Sequence, residues 1–272
     1  MQTYFFLAAA LLYAACAALP ARLPVPIAIG TALGWALHGL ALWSDVITPD
    51  SLRLGFATML SAAMWISVGV YWFENRGQAL DSLRVLMLPV AAGAVVLPII
   101  FPGVLVALDG KSALFPWHVA VAMLAYSTLT IAAFHAVLMA LQESKLHRRR
   151  GLQTPETSGW FDLAIDRLPA LLTMEKLLFR LIAVGFVLLS LTVLSGVVFS
   201  EQLFGKALKG DHKTIFTLLS WALFGVLLAG RHWRGWRGKT ALSFTLTGFV
   251  TLLLAYVGTR FVLEVVLHRS FA

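Results

Sequence analysis

Apolar runs of about 18 or more residues, the length that crosses roughly 30 Å of hydrocarbon, recur along the whole chain. Polar interruptions divide them into eight predicted helices at 3–21, 26–43, 54–73, 83–104, 117–141, 177–200, 214–230 and 241–266. The fifth, sixth and eighth are almost uninterrupted. The fourth carries Pro89 and Pro98, so a kink or split is expected there. The longest polar segment, 143–173, separates a five-span front, 1–142, from a three-span back, 174–272. Within it, the stretch from Trp160 to Leu168 alternates bulky apolar and charged residues and reads as a short helix lying in the membrane interface, ended by Pro169. The fold class is all-α: one polytopic membrane domain with eight transmembrane helices.

Composition agrees with this pattern, because 60% hydrophobic and 12% charged residues leave too little polar surface to coat a soluble globule of 272 residues. The net charge of +8 therefore reports orientation first and not nucleic-acid binding. With the N-terminus outside, Arg22, Arg76, Arg84, the Lys145 to Arg150 run and the Arg231 to Lys239 cluster all fall on the inner side. Eight crossings return the C-terminus to the outside. Met1-Gln2-Thr3-Tyr4 lacks the positive charge of an export signal, so the first span is expected to be retained. The single cysteine, Cys16, excludes a disulfide within the chain and covalent haem attachment through a Cys-x-x-Cys pair.

The candidate chemistry lies in histidines and one polar stripe. His118, His212 and His268 stand at the outer water boundary, and His38 lies in the outer half of the second span. His135 lies in the inner half of the fifth, while His147 and His232 are on the inner side. Imidazole is a common ligand of transition metals and haem iron, although each such residue alone also reads as an interfacial or buried polar group. Tyr256, Arg260, Glu264 and His268 follow at i+4 steps and share one helix face. An intramembrane arginine must be paired or face a cavity. Arg260 therefore either pairs with Glu264 or meets an anionic ligand group such as a haem propionate. His38 shares a face with Gly30 and Gly34, which admit a close helix neighbour, and Tyr126 lies two turns after His118. No Walker loop, His-Glu-x-x-His site, nucleophile elbow or paired catalytic carboxylates occur, so no enzyme activity is expected.

Three stretches resemble the cytochrome c assembly superfamily of CcsA/CcmC-type membrane proteins, in particular its HemX/YpjD-like inner-membrane branch. They are Trp117-His118-Val119 with Met123-Leu124-Ala125-Tyr126, then Gly185-Phe186 with Leu191 to Gly196, and Arg231-His232 with Trp236-Arg237-Gly238-Lys239. The resemblance is fullest from Pro116 onward. It implies a bacterial inner-membrane, multi-pass protein that handles non-covalent haem b near the periplasmic face. His118 and His268 would be iron ligands, Arg260 would lie near a propionate, and His38 and His232 would be candidates for a second, membrane-embedded position. Implied partners are haem, membrane lipids and other cytochrome assembly or membrane-complex subunits. The chain departs from the pattern at 201–213, where haem-presenting members carry a tryptophan-rich loop and only Asp211 and Lys213 echo it. Binding haem is thus better supported than delivering it. Two further readings are an accessory subunit without haem and a small-molecule transporter built on the Arg260/Glu264 stripe.

Overall fold

The computed structural model describes residues 2–48, 51–74, 81–107, 112, 114–151, 165, 168–198 and 212–258. Among them are eight α-helices: α1 (Gln2–Ala18), α2 (Pro24–Val46), α3 (Phe56–Glu74), α4 (Asp81–Ile100), α5 (Leu114–Gly151), α6 (Leu171–Val198), α7 (His212–Arg234) and α8 (Gly238–Leu253). A π-helical turn, Leu254–Gly258, continues α8. Each helix coincides with one predicted apolar run. Pro24–Val46, Leu114–His147, Leu171–Val198 and His212–Arg234 are long and apolar enough to cross a membrane, and Thr3–Ala18, Phe56–Trp72 and Arg84–Ile100 are shorter apolar helices packed with them. The protein is an α-helical membrane protein.

Two elements differ from the pattern expected of the sequence. First, α5 runs past residue 142 to Gly151, because Gln142 to Leu146 are helix-compatible and both Met139 and Lys145 are buried against the bundle. The boundary between front and linker therefore falls inside a helix. Second, the all-α bundle carries one small sheet at its end. Strands β1 (Ile47–Thr48), β2 (Ser51–Leu54) and β3 (Val104–Ala107) form an antiparallel sheet in the order β1-β2-β3, with Leu52 opposite both Ile47 and Val106. These strands are two to four residues long, too short to show a period beside apolar helices. Gly103, with φ of +73°, admits the close approach to β2: a Cβ there would stand 2.9 Å from the Leu54 carbonyl oxygen. α4 is continuous through Pro89 and Pro98 and is not split.

The main core joins residues of every helix except α2, including Tyr13, Met64, Met87, Leu129, Leu178, Phe224 and Leu252. Contact is most extensive between α5 and α6, where Gly185 lets the helices close. A Cβ at Gly185 would lie 2.6 Å from Leu129 Cδ2. Between the front helices several polar groups pair internally, as an apolar solvent favours. The buried Arg84 guanidinium donates to the carbonyls of Cys16 and, at 3.1 Å, Leu19, capping α1. Ser67 Oγ reaches Ser127 O at 3.3 Å, and the Trp35 and Trp65 indoles each donate to the other's carbonyl at 3.0 and 2.9 Å. Alternating helix directions give the bundle two ends. The sheet end holds the start of α5 and the end of α6, and the basic end holds Arg231, Arg234 and Arg237.

Candidate functional site

At the sheet end, the first turn of α5 meets the last turns of α6 and the start of α7. Phe115 is buried against Leu54 of the sheet, which fixes the α5 terminus and places the half-buried His118 on the rim. His118 Nδ1 lies 2.8 Å from Ser195 Oγ. Ser195 Oγ is also 3.1 Å from the Thr192 carbonyl, which can only accept. With the serine proton on that carbonyl, Ser195 accepts from Nδ1–H and the lone pair falls on Nε2. That is the form in which a histidine ligates a metal, its other nitrogen oriented by a second hydrogen bond. Gly196 keeps the wall beside the ring low, since a Cβ there would stand 3.6 Å from His118 Cε1. Lys213, on the first turn of α7, is near enough for its charge to act on the imidazole, and the adjacent His212 is exposed.

The remaining sequence-predicted residues separate. Arg260, Glu264 and His268 lie outside the described residues, as does most of the stretch from Trp160 to Leu168. Its two described members, Ile165 and Leu168, are buried in the main core. Tyr126 is partly buried against that core. His38 is fully buried, with Nε2 2.8 Å from Ser61 Oγ and Nδ1 3.4 Å from the Tyr13 hydroxyl. His232 is exposed in the last turn of α7, at the opposite end of the bundle from the half that holds His38. The structure does not bring those two together.

Two constellations were not read from the sequence. Glu175, buried on α6, receives Arg231 Nη1 and Arg237 Nε, each at 2.8 Å; this joins α6 to the turn between α7 and α8. The lone acidic residue in the first turns of an apolar span was its only signal. His135 is 1% exposed, with neither ring nitrogen partnered among the described residues, an imidazole buried on α5. Among the described residues no three His, Cys, Asp or Glu side chains converge as a metal cage. The sheet end instead offers a single imidazole near the positive charge of Lys213.

This is an α-helical membrane bundle with a half-buried, hydrogen-bonded histidine at its rim. The family described as Cytochrome C assembly protein matches residues 31–267, and the chain belongs to that family. It is 30% identical over 150 residues to the inner membrane protein YpjD of Escherichia coli K12, covering 55% of this chain and 52% of that protein. It is 28% identical over 156 residues to the cytochrome c biogenesis protein CcsA of Guillardia theta, covering 56% and 52%. It is also 30% identical over 108 residues to CcsA of a Nostoc species, covering 40% and 31%. The matched stretch spans about half the length of the first two relatives.

Proposed function

We propose that this protein resides in a bacterial inner membrane as an eight-span bundle, with its sheet end on the periplasmic side. There it binds haem b non-covalently and acts as an assembly factor without turnover of its own. His118 and His268 would hold the iron of such a group through their imidazoles, and Arg260 would meet one of its carboxylates. The observation that carries this reading is the Ser195 contact, which orients the His118 ring at the mouth of the bundle. Family membership and the name of the YpjD relative support the compartment. The residues present fit the group: a rim imidazole, a low glycine wall and the nearby Lys213 charge suit an anionic macrocycle. When bound, haem would supply an iron centre that takes histidine nitrogen ligands.

The test is the absorbance of protein purified after expression with ample haem. A b-type spectrum is expected, lost or shifted in His118→Ala. Colourless wild-type protein that also fails to take up added hemin overturns the reading.

A further inference from the structure

A buried polar seam runs between α1, α2 and α3 from the sheet end toward the middle of the bundle. Its inner part is the chain Tyr13, His38, Ser61, in which both nitrogens of the fully buried His38 ring meet hydroxyls. α2 and α3 lie antiparallel, since His38 faces Ser61 and Trp35 faces Trp65. Each step along α2 toward the sheet is therefore matched by a step back along α3. At a rise of about 1.5 Å per residue, Thr58 lies about 4.5 Å from Ser61 toward the sheet, and Asp45 about 6 Å further out. Side chains lean toward the start of their own helix, so Asp45 leans inward and Thr58 outward, each toward the other.

Thr58 and Asp45 are 1% and 9% exposed, yet Thr58 Oγ1 and Asp45 Oδ2 have no hydrogen-bond partner among the described residues. Helical hydroxyls elsewhere return their proton to the carbonyl one turn back, as those of Ser67 and Thr245 do. α3 begins at Phe56, so Thr58 has no helical carbonyl behind it. Asp45 Oδ1 stands 3.8 Å from Arg53 Nε, a loose pair whose side chains are 11% and 31% exposed, which leaves the outer end of the seam open to water. At the inner end the Tyr13 ring lies across Gly34, where a Cβ would stand 3.0 Å from Tyr13 Cε1. Buried polar groups at such spacing are ordinarily joined by water, and ionisable side chains inside a membrane mark proton paths.

We propose that Asp45 and Thr58 hold a short file of water, open at the sheet end and closed at Tyr13, that gives the buried His38 ring access to protons from that side alone. A hydronium proton entering the file moves to Ser61 Oγ as the Ser61 proton moves to Nε2. One O–H bond breaks on the hydronium and one N–H bond forms on the ring. Neutral water is left behind, and the imidazolium holds the charge until the same path returns it. The file involves neither His118 nor bound haem.

The test uses the full chain in bilayers, isotope-labelled at its histidines, and reads by solid-state NMR the rate at which ring N–H protons exchange with water. His38→Phe and His135→Phe assign the two resonances. His135 is the internal reference, 1% exposed and without a partner among the described residues. His38 should exchange several-fold faster than His135. Thr58→Val, which keeps the shape and removes the hydroxyl, should slow His38 to the His135 rate. Thr31→Val, two turns inward on α2, should leave it unchanged. Equal rates for His38 and His135 in the wild-type chain overturn the proposal without recourse to any variant. A loss in Thr31→Val as large as that in Thr58→Val overturns it too, because water then reaches the ring from the inner end.

Discussion

His118 Nδ1 and Ser195 Oγ stand 2.8 Å apart although 77 residues separate them in the chain. The contact ties the first turn of α5 to the last turn of α6. Ser195 Oγ also lies 3.1 Å from Thr192 O, which holds the hydroxyl that sets the direction of the ring. Ser195 is thus a positioning residue for the proposed ligand. Ser195→Ala should leave a folded protein that still binds haem, with affinity lower by roughly tenfold to a hundredfold, as for other partners of ligating histidines. A shifted reduction potential should accompany the loss, and Ser195→Thr should restore both. Hemin titration with potentiometry checks this; unchanged affinity and potential in Ser195→Ala would reduce the contact to packing.

Gly185 and Gly93 are both helical glycines, yet their surroundings predict opposite outcomes. A methyl at 185 would press on the fully buried Leu129, and nothing lies within 4 Å of a Cβ at 93. Gly185→Ala should therefore destabilise the bundle by about 1–3 kcal/mol through overpacking. Gly93→Ala should be neutral or stabilise by up to about 1 kcal/mol through helix propensity. Thermal unfolding in detergent distinguishes them. Equal midpoints would mean that α5 and α6 do not meet at Gly185.

Glu175→Gln addresses the anchor at the basic end. The carboxylate is 8% exposed, but its partners Arg231 and Arg237 are 30% and 52% exposed. Solvent screens part of the attraction, so the loss is set by the hydrogen bonds to a buried acceptor. A destabilisation of about 1–3 kcal/mol is expected, with faster proteolysis of the turn between α7 and α8. A variant as stable and as protected as wild type would show that the turn is held by Trp236 packing alone.

The eight apolar runs were legible because a membrane enforces helical closure of every backbone group, and length plus hydropathy then suffice. His118 was legible for the related reason that a polar ring at the start of an apolar helix marks a boundary. The partners were not. Ser195 and Glu175 become informative only when α6 lies beside α5 and α7, a pairing that no local period encodes. The short sheet of Ile47, Leu52 and Val106 was hidden for another reason: its strands are shorter than one recognisable alternation. His135 was placed at its depth in the bundle, yet its lack of a partner is a property of neighbours and not of sequence.

His38 offers the sharpest separation between a structural and a ligating histidine. Its ring bridges α1 and α3, with Ser61 at 2.8 Å and the Tyr13 hydroxyl at 3.4 Å. The short contact should carry most of the energy, because the longer one is near the limit of a useful hydrogen bond. Interhelical hydrogen bonds in membrane proteins contribute about 0.5–1.5 kcal/mol each. Ser61→Ala should cost about that much and Tyr13→Phe less. His38→Phe should cost at least as much as Ser61→Ala, since it removes both bonds and leaves Ser61 buried without its partner. In a double-mutant cycle, Ser61→Ala should cost little once His38→Phe is present. Haem absorbance should remain at the wild-type level in all of these variants. Loss of absorbance in His38→Phe alone, with stability unchanged, would reverse the assignment and make the buried ring a ligand.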